Sequence, residues 1–396
     1  MFSTYLIPRQ VKMSFIIEVR PVLEKYKLKQ ITREFTSRLR LRVHKVPHVT
    51  LVYNFWPKGS PFKVIETVKK VADNYDNLEY YYDGYEVKHG NKGYVIAIRI
   101  RPSPELVQFR EEVYGKLKGH ITERPDVRQY NENLWFHAAV SFNLGPEQVK
   151  KFLSDTELVQ KLQRFLFHAR VLRITLVRKG RIVYEYDTLT KRILDRSHAL
   201  SSDELENTYK KYREKFLKIE VDRRNWENVW FVADTHFGHK NIIKYAARPF
   251  VDTATMDECM KSKWNEVVSS NDIVYIVGDF ARRNLKDYVI PLKGKKVFIQ
   301  GNHDPPGIGV DRVYMKFGNF KFILTHYPVE VNAENDEWVI HGHMHNNKLR
   351  EYPFINSKAR TINVGVDLTS FYPVNLRWLL DLMVTENDYL YLPTKI

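Results

Sequence analysis

At 396 residues the chain is too long for one core of ordinary size, so two domains are expected. Hydrophobic residues make up 43%, enough to fill real cores, and the lone cysteine, Cys259, excludes an internal disulfide and suits a reducing compartment. The net charge of +16 is lopsided: residues 1–200 carry 36 Lys and Arg against 21 Asp and Glu, the remainder 27 against 26, so the first half is the one expected to meet a polyanion.

The N-terminus, MFSTYLIPRQVKMSFIIEV, has short apolar runs broken by Arg9, Gln10 and Lys12. It lacks the unbroken apolar core of a signal peptide, and no stretch approaches membrane-spanning length. A soluble, cytoplasmic protein without a membrane partner is expected, and nothing points to a protein partner. Residues 14–19 read as a strand and 22–36 as a helix. Strands follow at 49–55, 94–100, 136–142 and 170–178, with helices at 62–73, 105–118 and 146–164. This is an α+β pattern whose strands need not be parallel.

The stretch from Asp195 to Asn225 reads as a connector. Ser201, Ser202 and Asp203 can cap a helix running to about Ile219, and that helix is polar over most of its surface. The reading is therefore an N-terminal domain over 1–195, a helical linker over 196–225 and a C-terminal domain over 226–396. Beyond 226, short apolar strands recur, each ending in a polar cluster: VWFVADTH, DIVYIVGDF, KKVFIQGNHD, FKFILTHYP, WVIHGHMH and TINVGVD. Continuous apolar runs suit strands buried on both faces, and groups just past strand ends suit an α/β scaffold with its site along one edge.

Those ends present Asp234 and His236, Asp279, Asn302 and His303, His326, and His343 and His345. Imidazole mixed with carboxylate suits manganese, iron, zinc or nickel better than magnesium or calcium. Two divalent cations need a shared anionic ligand and about three private ligands each, which this inventory meets, with manganese the first expectation. One histidine alone would more often be structural; five strand ends in succession are hard to assign to packing.

DTH, GD, GNHD, H and GHMH occur in the order that marks calcineurin-like metallophosphoesterases, and the chain resembles that family over roughly residues 228–380. The resemblance implies an α/β metallophosphoesterase sandwich, β-sheets flanked by helices. It implies Asp234, His236, Asp279 and His345 at one metal, and Asp279, Asn302, His326 and His343 at the other. His303 would contact the phosphate or protonate the leaving oxygen, with Asp304 orienting it. DTHFGHKNIIKYAARPF further resembles a small bacterial, archaeal and phage branch. His239 is expected beside the ligands, Arg248 against a phosphate, and Cys259 in packing; His341 has no assigned role.

In the basic half, PHVTLVY places His48 and Thr50, and WFHAAVSF places His137, at strand starts 89 residues apart. Two imidazoles across a groove can serve as general base and general acid on a phosphodiester without metal, and a hydroxyl two residues on can bind a phosphate oxygen. This pattern resembles the LigT-like two-histidine phosphoesterase superfamily, marked by two His-x-Thr/Ser motifs, over about residues 1–195. The second motif departs from it, with Ala139 at the hydroxyl position.

Together the resemblances imply a dinuclear-metal phosphoesterase joined to a metal-independent 2′,3′-cyclic phosphodiesterase, acting on RNA ends or nucleotide phosphoesters. Tyr80, Tyr81, Tyr82, Tyr85 and Trp56 are offered as stacking surfaces for RNA. The alternatives are a cyclic-nucleotide or dinucleotide phosphodiesterase, a metal-dependent nuclease with an RNA-binding N-terminal domain, and a non-catalytic RNA-binding protein.

Overall fold

The computed structural model describes residues 14–39, 47–90, 92–216, 228–281, 284–331, 336–383 and 389–390; the expectations for residues 1–13 and the helix end near Ile219 lie outside them. The chain forms two compact units. The first gathers Met1–Val22, Ile31–Val159 and His168–Thr208, the second Leu23–Gln30, Gln160–Phe167 and Tyr209–Ile396. Among the described residues no helix is long and apolar enough to cross a membrane.

The N-terminal strands are β1 (Phe15–Val19), β2 (Val49–Pro57), β3 (Glu79–Gly90), β4 (Gly93–Pro102) and β5 (Ile121–Thr122). They continue with β6 (His137–Leu144), β7 (Leu166–Arg170), β8 (Arg173–Arg178), β9 (Arg181–Asp187) and β10 (Arg192–Asp195). They build one sheet in the order β10-β9-β8-β1-β2-β6-β4-β3-β7, with β5 paired to β2. Neighbours such as β1 and β2, β4 and β6, and β8 and β9 run antiparallel. Ile98 and Ile100 of β4 are buried while Arg99 and Arg101, which alternate with them, are exposed, so toward this end one face carries the core and the other meets solvent.

The helices are α1 (Lys25–Leu39), α2 (Pro61–Ala72), α3 (Pro104–Leu117), α4 (Pro125–Glu132), α5 (Pro146–Ser154), α6 (Thr156–Gln163), α7 (Arg196–Ala199) and α8 (Ser202–Phe216). Four of them open on proline, whose missing N–H costs nothing at that position. Ser60 and Ser103 cap two of these by accepting from Phe62 and Leu106 N–H groups. The helix expected over 146–164 is broken at Asp155, which leaves helical geometry and accepts from Leu158 N to start α6. The strand expected over 170–178 is β8, Arg173–Arg178, and only Arg170 of that span belongs to β7.

In the C-terminal part, β11 (Val229–Val232) precedes α9 (Ile242–Tyr245), α10 (Thr253–Val267), β12 (Ile273–Val277), α11 (Leu285–Val289) and β13 (Lys295–Ile299). Then come β14 (Val313–Phe317), β15 (Phe320–Leu324), β16 (Glu337–His341), β17 (Ile355–Asn356), β18 (Thr361–Asn363), β19 (Val374–Asn375), α12 (Leu376–Met383) and β20 (Tyr389–Leu390). One sheet has the order β13-β12-β11-β19, the other β14-β15-β16-β18-β17-β20. Within them β11, β12 and β13 are parallel, as are β15, β16 and β18.

Alternation along β11 shows why its run is wholly apolar. Trp230 and Val232 pack on Met256, Met260 and Trp264 of α10, while Phe231 and Ala233 face Phe322, Leu324, Ile340 and Ile362 of the other sheet. The result is a sandwich of two sheets with a helix layer outside, and β11, β12, β13, β15 and β16 all end toward the ligand residues.

Candidate metal centre and two-histidine groove

Each ligand residue lies in the turn that leaves a strand, and the backbone there is unusual. Asp234, His236, Asp279, His343 and His345 have φ of 58°, 51°, 53°, 69° and 50°. Left-handed backbone is unfavourable for residues with a Cβ and persists only where the surroundings impose it. The chain so turned aims successive side chains back over the strand ends.

Glycines clear the space. A Cβ on Gly301 would stand 2.2 Å from Asp279 N and 2.3 Å from Asp279 Oδ1. One on Gly278, itself at φ +84°, would stand 2.2 Å from His326 Nδ1.

The converging atoms are close. Asp279 Oδ2 lies 3.4 Å from both His236 Nε2 and His326 Nε2, the shared position. Asn302 Oδ1 lies 3.0 Å from His326 Nε2 and 3.1 Å from His343 Nδ1. Ligand atoms of Asp234, His236 and His345 lie within 4.8 Å of one another, as do those of Asp234, Asp279 and His326. All seven expected ligands are thus brought together. Asp234 reaches both groups, where the sequence reading gave a place in both only to Asp279.

Several contacts hold these groups in orientation. His326 Nδ1 pairs with Val277 O at 3.1 Å, leaving Nε2 to face the cluster. His345 Nδ1 lies 2.7 Å from Asp367 Oδ2, and His239 Nδ1 3.3 Å from His236 Nδ1. His239 therefore stands beside a ligand, as expected.

Two buried ligand atoms, Asp234 Oδ2 and His236 Nε2, have no hydrogen-bond partner among the described residues. Orphaned buried polar atoms are costly unless something else satisfies them. Burial pushes the Asp234 carboxyl upward and holds His236 well below its usual range, in the neutral form a metal requires. Burial also pushes Asp279 upward, but the hydrogen bond and charge of His326 outweigh it and leave Asp279 lowered. The residues fit a divalent cation, with imidazole, carboxylate and carboxamide donors.

Two sequence readings are corrected. Asp304 does not orient the His303 ring: its carboxylate accepts from the backbone N–H groups of Asp279, Phe280 and Gly301 at 2.7–2.9 Å. It pins the bridging loop to the GNHD loop. Arg248 does not face a phosphate, because it is 2% exposed and binds Asp367 and the backbone carbonyls of Asp234 and Thr235. Reasoning from sequence gave Asp367 no role, although it ends one of the six strand motifs. His303 is exposed, with its ring 5.3 Å from that of His236 and its N–H donated to Asp279 Oδ1. His341 is fully buried, its Nδ1 2.8 Å from Gly342 O, and burial lowers it to about 4. Cys259 is half-buried against the α10 core.

The first unit holds the histidine pair. Val49 pairs with Ala138, so Thr50 faces His137 and His48 faces Ala139 across two adjacent strands. Glu18 pairs with Thr50 and Arg99 with His137, extending one row over four strands. His48, Thr50, His137 and Ala139 are all half-buried on the face opposite the buried Val49 and Ala138. His48 Nε2 lies 3.2 Å from Glu18 Oε2. The His137 ring stacks on Trp135 at 3.8 Å, with Nδ1 2.8 Å from the Trp135 carbonyl. Trp135 donates to Glu86 at 2.5 Å, and Lys88 lies over its ring at 4.3 Å. Burial lowers the affinity of His137 for a proton. Glu18, Glu86 and Lys88 were not singled out from sequence, and only cross-strand register brings them to the pair; Trp135, expected to pack beside His137, does so.

The tyrosine expectation is partly overturned. Tyr80 and Tyr82 are 0% exposed and cannot stack on a ligand. Tyr85 packs edge-on against Phe152. Tyr81 is half-buried between Arg101 and His168, and Trp56 is half-buried.

Comparison with known proteins gives two family matches: the 2′-5′ RNA ligase superfamily over residues 19–182 and calcineurin-like phosphoesterase over residues 227–384. Uncharacterized protein MJ1445 of Methanocaldococcus jannaschii is 40% identical over 161 residues, which cover 39% of this chain and 90% of that protein. Gene 66 protein of Mycobacterium phage L5 is 26% identical, covering 35% of this chain and 86% of its own. Among solved structures, the Aquifex aeolicus protein of unknown function AQ665 is 23% identical at a TM-score of 0.33, covering 39% of this chain and 98% of that one.

Proposed function

Since the chain belongs to the 2′-5′ RNA ligase superfamily through its N-terminal domain and to the calcineurin-like phosphoesterases through its C-terminal domain, we propose that it is a two-site phosphoesterase that processes RNA ends. The N-terminal groove opens a terminal 2′,3′-cyclic phosphate, and the C-terminal centre, holding two divalent cations, hydrolyses the resulting phosphoester. The observation that carries this reading is the pairing on one chain of a metal-free histidine couple with a converging ligand cluster. The excess positive charge of the first 200 residues favours a polyanionic substrate.

In the groove, the Nδ1–H of His137 is committed to the Trp135 carbonyl, so Nε2 carries the lone pair and serves as base toward the attacking water. His48 then delivers the proton to the departing ribose oxygen, and Thr50 donates to a phosphate oxygen. Ala139 offers no second hydroxyl, which supports one other reading: a nuclease whose N-terminal domain only holds RNA.

In the second domain, Asp234, His236 and His345 would hold one cation and Asn302, His326 and His343 the other, with Asp279 between them. The cations supply Lewis acidity and an acidified water when bound. His303, exposed above the His236 ring, meets the leaving oxygen and gives it a proton.

The test is product analysis on RNA ending in a 2′,3′-cyclic phosphate, with and without chelator. Opening that resists chelator, followed by phosphate release that chelator stops, is the expected result. Loss of both steps in chelator would move all chemistry to the metal centre and leave the groove as a binding module.

A further inference from the structure

The Arg248 guanidinium has five N–H groups, and each has an acceptor within the second unit. Nε donates to Asp367 Oδ1 at 2.8 Å and Nη2 to Asp367 Oδ2 at 3.1 Å, a two-pronged grip on one carboxylate. Nη2 also donates to the Asp234 carbonyl at 2.6 Å, and Nη1 to the Thr235 carbonyl at 2.9 Å and to Met256 Sδ at 3.4 Å. No donor remains for a substrate. Asp367 in turn holds His345 through Nδ1 at 2.7 Å, which leaves His345 Nε2 for a metal.

The residues gripped are ligands or their neighbours. Asp234 and His236 are left-handed on either side of Thr235, and His345 is left-handed as well. Such backbone requires outside support. Arg248 supplies it at two successive carbonyls of one ligand turn and, through Asp367, at the imidazole of His345. In the other group Asp234 is common to both, but its remaining members take their support elsewhere: His326 from Val277 O through Nδ1, and Asp279 from the backbone N–H of His303.

We propose that Arg248 and Asp367 form a positioning pair that fixes Asp234, His236 and His345 as one unit, and so governs the affinity of one of two metal sites without touching substrate. This inference rests on the metal reading given above. Carboxylates that orient a ligating histidine typically contribute 10–100-fold to metal affinity.

The experiment is a manganese titration of the metal-stripped full chain by calorimetry, with bound metal counted by elemental analysis and melting followed in chelator. Wild-type protein is expected to take up two ions. Asp367→Asn is expected to weaken one site by about 10–100-fold, leave the other within about twofold, and keep the melting point in chelator. Arg248→Lys, which keeps the charge but cannot span the carboxylate and both carbonyls, should weaken the same site. Equal weakening of both sites, with a lowered melting point in chelator, would mean that the pair merely stabilises the fold and would overturn the proposal. Unchanged affinity at both sites would overturn it too. If wild-type protein binds no manganese, or Asp279→Ala leaves its uptake intact, the metal reading fails instead.

Discussion

The two candidate sites hold their functional groups by different means. At the metal centre five of the seven ligands leave strand ends in left-handed backbone, glycines yield the space beneath them, and Asp304, Asp367 and Arg248 lock the turns from behind. In the groove Thr50, His137 and Ala139 sit on ordinary extended strands and His48 just before one, all half-buried and held by cross-strand register and one stacked tryptophan. A site built on imposed backbone geometry tolerates little change, whereas one displayed on a sheet face can exchange residues singly. Ala139 is such an exchange.

The contrast can be broken at its strongest point first. Asp279→Ala removes the shared carboxylate, and chelator-sensitive hydrolysis should fall by about a thousandfold or more while chelator-resistant opening of cyclic phosphate survives. If phosphate release is unchanged with metal present, the cluster is not the hydrolytic site. His137→Ala and His48→Ala should each reduce the resistant opening by roughly 10²–10⁴-fold and spare the metal-dependent step. A groove that keeps its rate after both changes is only a binding surface.

Smaller effects sharpen the comparison. Gly301→Ala drives a methyl into Asp279 and should destabilise the C-terminal domain by about 1–3 kcal/mol, read by thermal melting. A groove substitution such as Ala139→Thr should instead be accepted, and the restored hydroxyl should raise the opening rate by roughly 2–10-fold, a hydrogen bond's worth. The pH profile gives the subtlest test. A base must be neutral, and burial keeps His137 neutral to lower pH than an ordinary histidine, so the acid limb of resistant opening should lie below about pH 6.5. Trp135→Ala exposes the ring, and the limb should move upward toward that value.

What could be read from sequence follows the same division. The ligands were legible because each is local to a strand end, and GNHD or GHMH fixes several at once. The strands carrying them were legible too, since β11 and β12 write continuous apolar runs and β15 becomes wholly apolar and buried from Phe322 to Leu324. Arg248 and Asp367 were not: they lie 119 residues apart and meet only in the fold. Asp304 was misassigned because its acceptor role is filled by backbone N–H groups, which no side-chain pattern reveals. In the first domain the His-x-Thr motif was legible, but β3 was passed over although it supplies Glu86 and Lys88. Its Tyr80 and Tyr82 alternate into the core, and period-two alternation, not aromatic richness, decides which tyrosines reach solvent.

The ligand residues follow strands of both sheets of the C-terminal sandwich: Asp234, Asp279 and Asn302 leave β11, β12 and β13, while His326, His343 and His345 leave β15 and β16. An ion bound there fastens the two sheets along one edge. Its binding free energy then adds to the cohesion of the sandwich by mass action, about 2.7 kcal/mol at a free concentration a hundred times the dissociation constant. The supply of free metal around the protein would therefore set what fraction of the domain is folded.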